Sequence, residues 1–365
     1  MAVTPLRSRF LLIASVALVL LAGLWAGLVR LGWGWPPLLA SLPAAHGPLM
    51  VGGVLGTLIA LERAVALGRR WPYLAPALTA LGALATLIGI PGALGPLFIT
   101  LGSLGLVAIF AVIVRWPPAL FSATMGLGAL AWFVGNGLWL AGRPIPNVVA
   151  WWVGFVVLTI AGERLELGRL LRPPRFAQVA FVAALALLLI GLLLSILALR
   201  LGMGLSGVAL IALALWLGRY DIARRTVRQP GLTRFIALSL LSGYGWLGVG
   251  GLLWLIFAGA TAGPLYDALV HTVFLGFVFA LIFGHAPIIL PALSGRQVAF
   301  WPTFYGHLAL LHASLVLRVI GDLGGWVGVR QWGGLLNALA LVVFLANTVR
   351  AIQSSRHASS DTLVR

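Results

Sequence analysis

The sequence predicts an all-α integral membrane protein, and three observations support this fold class: composition, the length of the apolar segments and the placement of arginine. Of the 365 residues, 61% are hydrophobic and 8% are charged. Soluble domains carry roughly 25% charged residues, so a water-soluble globule is excluded. The formal net charge of +17 is typical of membrane proteins whose basic loops face anionic lipid. We therefore expect the lipid bilayer, and not nucleic acid, as the partner.

Twelve apolar segments are about as long as a bilayer-crossing helix, which needs about 20 mostly apolar residues. They are residues 9–31, 44–67, 72–90, 94–115, 118–141, 147–170, 176–198, 202–219, 233–260, 265–292, 302–322 and 326–351. We number them spans 1 to 12. Most connections between them are short. Residues 1–352 are therefore predicted to form one twelve-helix domain, followed by a polar cytoplasmic tail at 353–365.

Arginine placement predicts the orientation of the spans. All 24 basic residues are arginine, and 19 of them fall on the side of the N-terminus against 5 on the other side. Because basic residues concentrate in cytoplasmic loops, both termini are predicted in the cytoplasm, with the chain in a bacterial inner membrane. The arginine-rich loop at 218–233 is interpreted as a lipid-facing anchor.

Cysteine and lysine are both absent from the sequence. Their absence excludes disulfides, thiolate metal sites, iron–sulfur clusters, covalent haem attachment through CxxCH and Schiff-base chemistry on lysine. A metal or cofactor would have to be held by histidine, carboxylate, methionine or backbone groups.

Spans 2, 6 and 10 end in similar sequences and suggest an internal repeat. Span 2 closes with Glu62-Arg63-Ala-Val-Ala-Leu-Gly-Arg69 and span 6 with Glu163-Arg164-Leu-Glu-Leu-Gly-Arg169, while the sequence after span 10 ends in Gly295-Arg296. A match between spans four apart predicts three pseudo-repeated four-helix units. Chance similarity is the alternative, because Leu/Ala/Gly helices that end in Gly-Arg resemble one another.

Five of the six histidines fall in three spans: His46 in span 2, His271 and His285 in span 10, and His307 and His312 in span 11. An ionisable group at membrane depth is costly, so each is a candidate for function. A haem or other metal site is the favoured interpretation. Two alternatives stay open: buried histidines that bond to carbonyl groups of neighbouring helices, and a substrate or proton site without metal.

Helix geometry predicts two sites. His271 and His285 are 14 residues apart, which in a regular helix gives nearly the same face and about 21 Å of rise. His46 and His271 lie near the same membrane surface and are predicted to be the axial ligands of a b-type haem. His285, with His307 and His312, is predicted to form an inner metal centre of haem iron or copper, for which imidazoles without thiolates are suited. His307 and His312 are about 140° apart around their helix, so unequal roles are expected.

Charged residues within the spans have two interpretations. The first is ion pairing near the membrane surface. The second is contact with haem propionates, a proton path or a quinone headgroup. Both interpretations concern Glu62, Arg63, Glu163, Arg164 and Arg318. Arg318 and Asp322, four residues apart, are predicted to pair with each other, and Asp267 is predicted to be a charge at a helix N-terminus.

These motifs resemble the NnrS family of haem- and copper-containing membrane proteins linked to nitric oxide metabolism. The residues that carry the resemblance are His46-Gly-Pro-Leu-Met-Val-Gly, Leu61-Glu-Arg-Ala-Val-Ala-Leu-Gly68, His271 with Leu275-Gly276, Gly284-His285, Gly295-Arg296 and the span 11 histidines. The twelve-span pattern resembles, more distantly, the catalytic subunit (subunit I) of haem-copper oxidases. The resemblance implies one or two haems b, with copper as a second metal, and a quinone or cytochrome electron donor.

The sequence also departs from these families. Span 6 has no histidine and span 10 lacks a His-x-His pair, so the three-histidine copper centre of the oxidases is not carried over. Ala-Pro-Ile-Ile-Leu-Pro after His285 also differs from the expected NnrS pattern. A secondary transporter without metal and a non-catalytic subunit of a respiratory complex stay open as alternatives. The sequence predicts no oligomeric state.

Overall fold

The computed structural model describes residues 6–115, 118–171, 173–295 and 298–361. Arg172, Arg296 and Arg365 of the predicted arginine asymmetry lie outside these ranges, as do residues 362–365 of the predicted tail. Within the described ranges all regular structure is helical.

Twelve principal helices follow one another along the described chain, and each coincides with one predicted span. They are α1 Leu6–Arg30, α2 Leu42–Leu67, α3 Trp71–Leu87, α4 Leu94–Ile113, α5 Leu120–Leu140, α6 Ile145–Leu167, α7 Arg175–Leu197, α8 Leu199–Tyr220, α9 Gly231–Ile256, α10 Gly263–Leu293, α11 Phe304–Gly324 and α12 Val327–Asp361. All but the shorter α3 are long and apolar enough to cross a membrane. The prediction of a helical integral membrane protein is confirmed. Helix α12 continues through the described part of the predicted tail.

The helices form two compact units. The first comprises Met1–Leu167 with Leu189–Gly202, and the second comprises Gly168–Leu188 with Met203–Arg365. Helices α1–α6 therefore belong to the first unit and α9–α12 to the second, while α7 and α8 contribute residues to both.

Helix α6 is the core of the first unit, because every residue from Val148 to Thr159 is buried. Its contact with α5 depends on small residues: a Cβ at Gly128 would lie 2.9 Å from the carbonyl oxygen of Phe155. The Phe155 ring stacks on Trp132 with 4.7 Å between the ring centroids. Close approach through small residues is the usual way in which membrane helices pack, since lipid tails are as apolar as leucine.

Two helices change to π geometry in their first half. In α2 the π segment Leu49–Gly56 begins directly after Pro48, which has no backbone N–H to continue the α-helical pattern. In α10 the π segment Thr272–Phe279 begins where the Thr272 hydroxyl donates to the carbonyl of Ala268 at 2.8 Å. A side chain that bonds to the preceding turn competes with the regular backbone pattern.

The π segment of α10 changes the expected relation of its two histidines. The prediction that His271 and His285 share a face assumed a regular α-helix between them. A π turn accommodates about one extra residue, which rotates the following residues by roughly 100° around the axis. The same-face argument therefore does not apply to this helix.

Candidate functional site: histidines and ion pairs inside the membrane helices

His271 lies at the end of the first α-helical segment of α10 and belongs to a three-residue network. Its Nδ1 is 2.9 Å from the carbonyl oxygen of Asp267 and 3.2 Å from the Asp267 carboxylate. Arg318 on α11 donates to both oxygens of that carboxylate, at 2.7 and 2.8 Å. The carboxylate beside His271 is thus held in place by a two-point ion pair, the strongest geometry available to arginine.

The predicted pairing of Arg318 with Asp322 is wrong. Arg318 pairs with Asp267 because that carboxylate faces the planar guanidinium with both oxygens. Asp322, whose side chain is fully buried, lies 3.9 Å from Nε of Arg330 on α12, too far for a hydrogen bond. Neither carboxylate oxygen of Asp322 has a hydrogen-bond partner among the described residues.

His46 and His285 also bond through Nδ1 to main-chain carbonyl groups. Nδ1 of His46 donates to the carbonyl of Gly23 on α1 at 2.8 Å, and Nδ1 of His285 donates to that of Leu281 at 2.8 Å. The His46 ring lies against α1 where Gly27 has no side chain, since a Cβ there would be 2.9 Å from the ring. Glycine at this position is what allows the imidazole to reach the neighbouring helix.

His312 has a different hydrogen-bond pattern. The indole N–H of Trp246 on α9 donates to its Nδ1 at 3.0 Å. Because an indole can only donate, Nδ1 of His312 is the acceptor and the neutral ring carries its proton on Nε2. Trp246 itself packs on the π segment of α10, where a Cβ at Gly276 would lie 2.5 Å from its Cγ.

His307 is completely buried. Its ring is surrounded by aromatic rings at centroid distances of 4.8 to 6.0 Å, from Phe235, Phe283, Phe304 and Phe344. Nδ1 lies 3.1 Å from the side-chain amide of Asn347 on α12, and Nε2 has no hydrogen-bond partner among the described residues. The two histidines of α11 therefore lie in different environments, and their unequal roles stay a prediction.

The described residues contain no group of three or more His, Asp or Glu side chains arranged to hold a metal ion. The inner centre of His285, His307 and His312 therefore stays a prediction. His46 belongs to the first unit and His271 to the second, and their pairing on one haem also stays a prediction.

The first unit has its own ion pair between membrane helices. Arg63 on α2 bonds to Glu62 at 3.0 Å and also to Glu163 on α6. The Arg63 side chain is 12% exposed, so this pair is largely buried. Arg63 therefore pairs with its sequence neighbour Glu62 and also connects α2 to α6. Arg164 is buried.

Comparison with known proteins places the chain in a family. Residues 9–353 match the family model described as "Domain of unknown function (DUF8744)". The chain belongs to this family. A curated glycerol-3-phosphate acyltransferase from Herminiimonas arsenicoxydans is 39% identical over 87 residues, which are 23% of this chain. The match covers 42% of that relative, so this DUF8744 chain spans about two fifths of its length.

Two hydrogen-bond partners of the histidines in this DUF8744 chain were not predicted from the sequence. Trp246 bonds to His312 and Asn347 bonds to His307. Trp246 was visible only as part of a glycine-rich stretch of α9, and a single asparagine in α12 carries little signal. Asp267, expected to be a helix-terminal charge, is instead the residue that connects His271 to Arg318.

Proposed function

We propose that this protein is a haem-binding integral membrane protein with a redox or nitric oxide-related function, and that His46, His271 and His285 are its candidate iron ligands. The observation that carries the proposal is the bonding of these three rings. In each, Nδ1 lies 2.8 to 2.9 Å from a main-chain carbonyl oxygen.

A carbonyl oxygen can only accept, so Nδ1 of each ring carries the proton and the lone pair is on Nε2. This is the tautomer of haem- and metal-binding histidines, whose other nitrogen usually donates to a carbonyl or carboxylate. Haem iron, when bound, would supply electron transfer or the binding of a small gas molecule. The donor set of this chain fits such a group, because imidazole is the nitrogen ligand that iron accepts.

Asp267 supports a special role for His271. Its carboxylate lies 3.2 Å from Nδ1 and is oriented by Arg318. A carboxylate in this position fixes the orientation of a ligating ring and makes it more basic. Asp267 and Arg318 are therefore proposed as positioning residues, in place of the propionate contact that the sequence suggested for Arg318.

His307 and His312 are proposed to support the inner site or to relay protons, and not to bind iron directly. His312 accepts from Trp246 at Nδ1, so a neutral His312 ring has no lone pair left for a metal. His307 is enclosed by phenylalanine rings, which leaves its ring surrounded by protein. Copper remains part of the proposal through the NnrS resemblance only.

The architecture proposed with this function is that of three four-helix units with a fold like the oxidase catalytic subunit. It is supported by α2 and α10, which both change to π geometry within three residues of a histidine, His46 or His271. We also propose a bacterial inner membrane location with both termini in the cytoplasm, and a quinone or cytochrome as electron donor.

The test is a dithionite-reduced minus oxidised difference spectrum of the purified full-length protein, with pyridine haemochrome and metal analysis. We expect b-type haem, and loss of its low-spin signal in His46→Ala and in His271→Ala. His312→Gln is the matched control, which should keep the signal. Purified protein without haem, or unchanged haem content in both alanine variants, would contradict the proposal.

A secondary transporter is the second candidate, and the π segments of α2 and α10 are the observation that favours it. Transporters place substrates where helices are irregular inside the membrane. Reconstituted vesicles that take up a solute, prepared from protein without haem, would favour this alternative. Protein with neither property would point to the non-catalytic subunit.

A further inference from the structure

The hairpin of α7 and α8 carries a cluster of arginine and aromatic side chains at one end. The Phe176 and Tyr220 rings meet edge to face, with 6.3 Å between their centroids. The indole of Trp216 donates to the carbonyl of Ala177 at 2.7 Å, which holds the start of α7 against the end of α8. These contacts all lie within the second unit.

Arginine side chains lie at the same end of the hairpin. Arg219 lies over the Tyr220 ring, 5.3 Å from its centroid. Arg224 donates to the carbonyl of Arg219 at 3.1 Å. Arg175 precedes Phe176 and is exposed, as are Arg219 and Arg224. The end of the hairpin therefore carries three exposed arginines and two aromatic rings.

No carboxylate in the described chain neutralises Arg219 or Arg224 through an ion pair. Asp221 is adjacent in sequence, but it is 5% exposed and faces inward. Its oxygens accept from the backbone N–H of Ala223 at 2.7 Å and from the Tyr244 hydroxyl at 3.0 Å. The positive charge of the hairpin end is thus left for an external anion.

Apolar side chains extend from this cluster along the outside of the hairpin. Val179 is one turn from Phe176 on α7, and Leu215 is one turn from Arg219 on α8. Phe176, Val179 and Leu215 are 68%, 67% and 70% exposed. A cationic end above an apolar strip matches a phospholipid, whose charged headgroup lies above its acyl chains.

We propose that this surface, Arg175, Phe176, Arg219, Tyr220 and Arg224 with the apolar strip below, binds an anionic phospholipid. The guanidinium groups would donate to the phosphodiester, for which arginine is well suited. The acyl chains would lie on Val179 and Leu215. A soluble phosphate compound would use the arginines but leave the apolar strip without a role.

The test is lipid binding by the delipidated full-length protein in detergent, measured by native mass spectrometry during titration with phosphatidylglycerol. An arginine near an anionic surface contributes about fivefold to affinity, so Arg219→Gln with Arg224→Gln should lower affinity roughly 30-fold. Arg225→Gln with Arg228→Gln removes the same charge from the same loop and should lower it by at most about fivefold. Phosphatidylcholine should bind weakly to all variants.

Three outcomes would overturn the proposal. Equal losses in the two double variants would mean a diffuse charge effect without a built site. Equal binding of phosphatidylcholine would mean that the headgroup charge is not recognised. Displacement of phosphatidylglycerol by an equal concentration of glycerol phosphate would mean that the arginines bind a soluble anion and not a lipid.

Discussion

Arg318 and Asp267 form a two-point ion pair between α11 and α10, with Nε and Nη2 at 2.7 and 2.8 Å from the two carboxylate oxygens. The guanidinium side chain is 7% exposed, so water screens this pair little. Because the Asp267 carboxylate also faces His271, the pair connects helix packing to the candidate ligand.

Removal of one member of this pair is expected to destabilise the protein strongly. Arg318→Gln leaves a buried carboxylate without its cation, which costs about 3–5 kcal/mol. Arg318→Lys keeps the charge but not the planar fork, so an intermediate loss is expected. Thermal unfolding in detergent measures both. Arg143→Gln, at an exposed arginine between α5 and α6, removes the same charge as a control and should cost about 1 kcal/mol or less. Equal losses for Arg318→Gln and Arg143→Gln would contradict the interpretation.

Gly276 in the π segment of α10 is expected to tolerate no side chain. A Cβ there would lie 2.5 Å from Cγ of Trp246, so Gly276→Ala should cost about 1–3 kcal/mol through overpacking. Gly245→Ala on α9 would meet no atom within 4 Å and should cost nothing. The readout is again thermal unfolding. In a Trp246→Ala background, Gly276→Ala should cost less than it does in the native protein, and an equal cost would place the clash elsewhere.

Arg63 and Glu163 should be energetically coupled across α2 and α6. We expect the losses of Arg63→Gln and Glu163→Gln to be non-additive by about 0.5–3 kcal/mol in a double-mutant cycle, because each variant removes the same ion pair. Glu163→Gln combined with Arg143→Gln, an exposed arginine between α5 and α6, is the control and should be additive. A coupling near zero would mean that the pair contributes nothing to stability.

The orientation of the chain is predicted by the 19-to-5 split of its arginines. A reporter that is active only in the cytoplasm should be active when fused at the C-terminus or inserted in the loop at 218–233. It should be inactive when inserted in the connection between α5 and α6. Activity of the reporter between α5 and α6, with none in the 218–233 loop, would mean that the chain has the opposite orientation.

The positions of the helices could be predicted because each depends on local composition. A span in lipid must satisfy its backbone hydrogen bonds within itself, so a sufficiently long apolar segment is helical wherever it packs. The π segments were not predicted. Pro48 in α2 marks one of them, but the bond from Thr272 to the preceding turn in α10 has no distinctive sequence pattern.

The sequence by itself determined that five histidines lie in three membrane helices and that a few charged residues accompany them. Only the tertiary structure decided their partners. Arg318 binds Asp267, 51 residues away, and not Asp322 in its own helix, while His312 accepts from Trp246 across 66 residues. The reason is that a partner depends on how two helices are rotated and where they cross, and neither quantity is contained in the periodicity of either helix.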